Sequence, residues 1–317
     1  MGKKNLDWGS LPFGYMKTTK SFVANWKNGK WDEGKLTKDH TVKITECAGV
    51  LQYAQTCFEG LKAYTTEHGD IVTFRPDLNA ERMENSCKRL EMPVFPKERF
   101  IEAVLQTIEA NKDWVPPYGS GATLYIRPYM FGSSAVIGVK PIKVRLSDLD
   151  RAAPHGTGDI KAGLNYAMSL HNIVDAHNCG YAENMYLDPA THTYLEETGG
   201  ANIIFITKDG KLVTPKSDSI LPSITRRSLV IVAKEYLHME VEERKINKDE
   251  LADFVECGLC GTAAVISPVG EIDDHGKQII YNEGKQEMGP KLKEIYDTLT
   301  GIQMGRLPAP EGWVYTI

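Results

Sequence analysis

Apolar positions in the first third of the chain fall into two alternating periods. Between residues 77 and 91, Ala80, Met83, Cys87 and Leu90 recur at spacings of three and four, which predicts a helix. Pro76 precedes it and Pro93 follows it, as helix boundaries favour. Residues 97–112 predict a second helix, striped by Phe100, Val104, Leu105 and Ile108, that ends at the turn-forming run from Val115 to Gly119. Short runs rich in β-branched or aromatic residues predict strands at 41–46, Ile71–Phe74 and 123–126.

The second half opens on a predicted strand, Ile142–Leu146, and a helix, Gly163–Asn178, closing near Gly180. A β-meander is expected next. Strands at 184–187 and 193–196 flank Asp188-Pro189-Ala190, and Asn202–Thr207 runs into Lys208-Asp209-Gly210, a hairpin turn, before Leu212-Val213. Ser223 has the character of an N-cap for a helix reaching about His238. Asn247 and Glu250 form a capping box for 248–256, and Met288, Leu292, Ile295 and Leu299 stripe a last helix. The pattern is α+β in two domains, a smaller one over 1–141 and a larger one over 142–317, with the boundary near Pro141.

Composition narrows the possible partners. With 37 Lys+Arg against 42 Asp+Glu, the net charge of -5 gives no electrostatic reason to expect nucleic acid or an anionic membrane. No apolar run approaches a membrane span, and the basic start of the chain lacks the apolar stretch of a secretory signal. Six cysteines in 317 residues do not make a disulfide framework, so a reduced, cytoplasmic setting is expected. Cys257-Gly-Leu-Cys260 has the spacing of half a zinc or redox site. No second pair completes it, and two small thiols beside a Gly-rich turn is the simpler reading. No metal is expected.

Taken singly, the polar residues that could do chemistry are ambiguous. Lys161 reads equally as a solvated lysine, Glu197 as a surface carboxylate, and Thr225 and Thr262 as ordinary helix-start and turn residues. Their settings add something. Glu197 stands before Thr198-Gly199-Gly200 and an apolar strand, where small residues let a ligand approach the backbone. Ser223-Ile224-Thr225 opens a helix whose free N–H groups suit phosphate. Gly261-Thr262-Ala263 offers a second turn of N–H groups with a hydroxyl. A lysine, a carboxylate and two anion-binding turns are what a phosphorylated Schiff-base cofactor needs, though spacing alone argues it weakly.

Six segments carry a resemblance. Residues 157–166 (Thr-Gly-Asp-Ile-Lys-Ala-Gly-Leu-Asn-Tyr) are similar to the cofactor-lysine segment of the branched-chain amino-acid aminotransferases, which are fold type IV pyridoxal-phosphate enzymes. Segments 58–64, 124–128, 197–202, 221–226 and 261–263 also match, in the family's order. The resemblance implies the D-aminotransferase-like architecture, with pyridoxal 5'-phosphate at the domain interface, and ping-pong transfer of the amino group of L-leucine, L-isoleucine or L-valine to 2-oxoglutarate. It implies that Lys161 forms the Schiff base and shuttles the Cα proton. Glu197 would face the pyridine nitrogen and Tyr166 the ring oxygen, while Arg75, Ile224, Thr225 and Thr262 would hold the phosphate. For substrate, Thr262 and Ala263 would receive the α-carboxylate, Phe13, Tyr53, Phe58 and Tyr125 would line the side-chain pocket, and Arg127 would accommodate the second carboxylate of glutamate. A homodimer is implied as well. Core packing is the alternative reading of those aromatics, and it is stronger for Phe13 and Tyr53 than for Phe58 and Tyr125.

The sequence also departs from the family. Where some members carry a redox cysteine pair after the glycine-threonine turn, this chain has Ala264 and Ser267. At Val139-Lys140-Pro141-Ile142-Lys143, members have a further strand and an interdomain loop of the Pro-Val-Gly-x-Tyr kind, and this sequence runs directly from one flank to the other. A chain truly lacking that strand reads as an inactive relative. The rival enzyme readings are other type IV activities, such as a D-amino-acid aminotransferase or an aminodeoxychorismate lyase.

Overall fold

The computed structural model describes residues 2–11, 14–44, 46, 48–128, 142–148, 155–285 and 287–317, with the backbone alone at 52, 53 and 142. The chain forms two compact units, one of Met1–Gly138, Lys161–Gly163 and Gly301–Ile317, the other of Val139–Ile160 and Leu164–Thr300. Pro141, where the sequence places the domain boundary, lies outside the described residues.

The first unit is built on an antiparallel sheet in the order Val314–Thr316, Ile71–Phe74, Leu61–Thr65, Leu124–Ile126. Leu61, Ala63, Leu124 and Ile126 project to one face, where they pack with Ala80, Met83 and Cys87 of the helix Pro76–Arg89 and Phe100, Val104 and Ile108 of Lys97–Ala110. The predicted helical stripes are therefore buried except at Leu90, which packs partly buried against this core, and Leu105, which is half-buried and outside it. The strand expected at 41–46 does not form. Residues 41–44 are irregular, with Val42 and Ile44 each 52% exposed, and Thr41 N and Oγ1 donate to Asp39 Oδ1 at 2.9 and 2.7 Å. A local turn takes the backbone there, and no strand among the described residues offers it a ladder.

The second unit holds a nine-stranded sheet among the described residues. Its path runs Leu195–Thr198, Glu183–Leu187, Ile142–Leu146, Val265–Asp274, Phe254–Gly261, Asn202–Thr207, Leu212–Pro215, Val241–Arg244, with Lys277–Ile280 added to Val265–Asp274. The Leu195 N–H donates to the Ile246 carbonyl at 2.9 Å, so the first edge meets the segment just beyond the last strand and the sheet curls around its core. Both predicted hairpins form, but the simple meander does not. Ile142–Leu146 lies parallel to both of its neighbours, and the pair Phe254–Gly261 and Val265–Asp274 separates the two hairpins.

Ser223 caps the helix Ile224–Ile231, accepting from Arg226 N at 3.2 Å, and that helix passes into a π turn at Val232–Tyr236. The capping box at Asn247 and Glu250 forms too, yet it starts only a short 3-10 segment, Lys248–Asp253. Phe254 is buried and stacked on Phe205 at 4.5 Å, and that burial draws 254–256 into the sheet against their helical pattern.

Candidate active site

Lys161 lies on a short extended run fixed by its backbone. The Lys161 carbonyl accepts from Phe58 N at 3.1 Å, Ala162 bridges Cys57, and Gly163 N donates to the Thr56 carbonyl at 3.1 Å. The lysine is half-buried, and its Nζ stands 4.9 Å from the centre of the Phe58 ring. In the second unit, the turn just before it is held by Asn165, buried at the start of the helix Gly163–Asn178. Asn165 Nδ2 donates to the carbonyls of Thr157 at 2.6 Å and Ile160 at 3.0 Å. The backbone is thus pinned on both sides of the Lys161 side chain.

The register of the first sheet sets the surroundings. Lys62 is the cross-strand partner of Tyr125, and such partners share a face. That face is opposite the helices. The Arg127 guanidinium lies 5.9 Å from the Tyr125 ring and 5.7 Å from the Phe58 ring. Gly60 is needed for this arrangement, because a Cβ there would meet Tyr125 Oη and stand 2.7 Å from its Cζ. The intervening Glu59 points the other way and is fully buried. Its Oε1 accepts from Arg82 Nε at 2.8 Å, and its Oε2 accepts from Arg82 Nη2 at 2.6 Å and Asn79 Nδ2 at 2.7 Å. This bidentate clamp ties the Phe58–Gly60 turn to the helix Pro76–Arg89.

Glu197 is the penultimate residue of the edge strand Leu195–Thr198 and is 2% exposed. Its Oε2 accepts from Asn202 Nδ2 at 2.6 Å and its Oε1 from Leu221 N at 3.0 Å, so both oxygens are oriented. Leu221 leads directly into Ser223 and the helix start at Ile224, where Ile224 and Thr225 are buried and their N–H groups have no intrahelical acceptor. Asn202 pairs in register with Cys260, just before the turn that holds Thr262 and Ala263. Val265, which follows that turn, has φ 64°, a strained conformation for a β-branched residue. Glu197, Ile224, Thr225 and Thr262 therefore belong to one cluster of strand ends and turns. Glu183 supports it, accepting from Gly200 N at 3.0 Å, with burial raising its carboxyl above the usual range.

The remaining expected residues are placed separately. Arg75, with φ 47°, caps the helix Pro76–Arg89, and its guanidinium stacks 4.5 Å from the Trp313 ring. Tyr166 is half-buried in the first turn of Gly163–Asn178. Phe13 and the side chain of Tyr53 lie outside the described residues. Cys257 and Cys260 fall within the strand Phe254–Gly261, Cys260 next to the turn that follows it, and three residues along a strand puts them on opposite faces. Burial pushes both thiols up, that of Cys260 to about 12. Two residues with clear structural parts here were given none from sequence: Asn202, which orients Glu197, and Asn165, which holds the turn before Lys161.

The family model for amino-transferase class IV matches residues 56–272. The chain is 48% identical to the branched-chain-amino-acid aminotransferase of Haemophilus influenzae, covering 99% of each. That alignment runs over 342 positions, more than the 317 residues here, so part of the relative has no counterpart in this chain. Among solved structures, the Escherichia coli branched-chain amino acid aminotransferase superposes with a TM-score of 0.77 at 28% identity, over 94% of this chain and 98% of that one. The enzyme of Thermobaculum terrenum, solved in its PLP form, has the same fold, with a TM-score of 0.78 at 24% identity over 95% and 99%. The chain belongs to the class IV aminotransferases, and within them to the branched-chain amino-acid aminotransferase family.

Proposed function

We propose that this protein moves the amino group of L-leucine, L-isoleucine or L-valine to 2-oxoglutarate in a ping-pong reaction with pyridoxal 5'-phosphate. The placement of Lys161 supports this most directly: a primary amine on a pinned backbone, set against the Phe58 ring, is suited to capturing a carbonyl beside an apolar side chain. The donor set fits the cofactor. Glu197 is buried with both oxygens oriented, and a helix start whose first two amides have no intrahelical acceptor follows three residues after the Leu221 amide that orients it.

When bound, the cofactor supplies an electron sink for negative charge at the substrate's α-carbon. Lys161 Nζ would hold it covalently and, once released, move the proton at that carbon. Glu197 would keep the ring nitrogen protonated, since an adjacent anion favours the cationic form. Tyr166 would donate to the ring oxygen, and Arg75, Ile224, Thr225 and Thr262 would hold the phosphate. The Thr262–Ala263 amides would take the substrate's α-carboxylate. Phe58 and Tyr125, with Phe13 and Tyr53, would enclose its side chain, and Arg127 would meet the second carboxylate of glutamate.

A cytoplasmic homodimer completes the proposal. The helix Gly163–Asn178 buries Asn165, Ser169, Asn172 and Ala176 and leaves Met168, Leu170 and Val174 at least half exposed, an inverted polarity that suits contact with a second copy. Among the described residues no helix is long and apolar enough to cross a membrane.

The expected result is a visible absorbance band that shifts on adding L-leucine, with glutamate formed when 2-oxoglutarate follows. Turnover of D-alanine or aminodeoxychorismate in place of leucine would assign a different class IV activity. The missing stretch at Val139–Lys143 favours one other reading, an inactive relative, and a purified chain with no band and no turnover would establish it.

A further inference from the structure

We propose that Trp313 is a positioning residue that holds the Arg75 guanidinium where it grips the phosphate of the cofactor. This rests on the aminotransferase reading above.

Arg75 has a φ of 47°, in the left-handed region that a residue with a Cβ adopts at a cost. That conformation turns the chain from the strand Ile71–Phe74 into the helix Pro76–Arg89. A strained residue persists only where its surroundings over-determine it, and here the last strand of the chain does so. In the antiparallel register Tyr315 lies across from Thr73 and Val314 from Phe74, so the next step along each strand brings Trp313 to Arg75. The Arg75 N–H donates to the Trp313 carbonyl at 2.9 Å, and the guanidinium carbon lies over the Trp313 ring, 4.5 Å from its centre. One residue from the far end of the chain thus meets both the backbone and the side chain of Arg75.

The Trp313 ring is itself fixed. It is 6% exposed and meets Phe74 edge-on, with ring centres 5.5 Å apart. Trp313 N donates to the Pro310 carbonyl at 3.2 Å, across a turn that puts Gly312 at φ 75°. Packing on Phe74 alone would be met by leucine or isoleucine; the choice of an indole matters for the guanidinium. A ring face attracts a guanidinium through its quadrupole and consumes none of the N–H donors. A carboxylate in the same place would pair with those donors and weaken the pull on a second anion. An indole face therefore suits an arginine whose N–H groups serve a phosphate. By restricting the long side chain beforehand, it also lowers the freedom lost when the phosphate is gripped.

The test is equilibrium dissociation of the cofactor from the holoenzyme, read from the visible absorbance of protein dialysed against falling concentrations of pyridoxal 5'-phosphate. Trp313→Leu should raise Kd by about tenfold, while Trp313→Phe, which keeps a ring face, should stay within about threefold. Arg75→Met should raise Kd by about tenfold or more, and adding Trp313→Leu to it should change Kd by no more than about twofold. That last comparison separates positioning from packing, because a residue that only supports the fold would loosen the cofactor equally in both backgrounds. Trp313→Met replaces the leucine variant if that does not fold, with the same expectation. A measurement on the unsubstituted chain stands beside these. With 5-fluorotryptophan incorporated, the fluorine resonance assigned to Trp313 by Trp313→Phe should shift when the cofactor leaves the holoenzyme. An unchanged Kd in Trp313→Leu or in Arg75→Met, an additive loss in the double variant, or a fluorine resonance that does not move would overturn the proposal. A wild-type protein that takes up no pyridoxal 5'-phosphate would instead overturn the functional reading on which it rests.

Discussion

Asn202 donates to Glu197 at 2.6 Å from a strand that begins only five residues later in the chain. The Thr198–Ala201 turn between them is closed by Thr198 N and Oγ1, both donating to the Ala201 carbonyl at 2.9 Å. The second oxygen of Glu197 is held from a different segment, by Leu221 N. The carboxylate is therefore aimed by its own hairpin and by the approach to the helix Ile224–Ile231 together.

Replacing Glu197 by Gln should leave the cofactor bound and lower kcat by about 100-fold or more, because the amide no longer stabilises a protonated ring nitrogen. Asn202→Ala should cost less, since Leu221 still orients one oxygen. Single-turnover kinetics with L-leucine, alongside the absorbance of bound cofactor, would check both, and near-normal turnover in Glu197→Gln would remove that residue from the site.

Borohydride reduction of the loaded enzyme followed by peptide mapping should place the pyridoxyl group on Lys161 alone. A label on Lys62 would show that the strand lysine, not the tethered one, is the carbonyl-capturing amine.

Gly60→Ala should disturb substrate selection more than folding. Its new Cβ meets the Tyr125 hydroxyl and stands 2.7 Å from Cζ, so the ring must leave its place beside Arg127. A displaced pocket wall of this size should raise KM for leucine by about tenfold or more, measured beside a thermal melt that shifts by only a few degrees. An unchanged KM would mean that Tyr125 does not touch substrate.

Arg82→Met should strand the buried Glu59 carboxylate and destabilise the protein by about 3–5 kcal/mol. The double variant Glu59→Gln/Arg82→Met should recover most of that loss in urea unfolding. A single variant within about 1 kcal/mol of wild type would show that the carboxylate is met by other donors.

Oxidation should not join Cys257 to Cys260, because they face opposite sides of one strand. Cys57 and Cys87, buried with their sulfurs 3.8 Å apart, are the pair placed to form a disulfide. Peptide mapping after mild peroxide should find only that bond among the described thiols, and a 257–260 disulfide would show that the strand opens.

Local pattern was enough for much of this molecule. The helices Pro76–Arg89, Lys97–Ala110 and Gly163–Asn178 were legible because helical spacing and terminal residues are encoded within one segment, and so were the two hairpins and the Ser223 cap. The likeness of residues 157–166 and five other segments pointed to the family that the comparisons show, and it put Lys161 forward as the cofactor lysine. Pairing between distant segments was not legible. Residues 41–44 have strand composition but no partner strand among the described residues, whereas Val314–Thr316 gains one at Ile71–Phe74 from the far end of the chain. Phe254 leaves a well-capped helical run because its burial against Phe205 outweighs local propensity. For the same reason sequence drew attention to Cys257-Gly-Leu-Cys260 and passed over Trp313. Which face of a strand a residue occupies, and what stands across from it, is set by register, and register is fixed only when the strands meet.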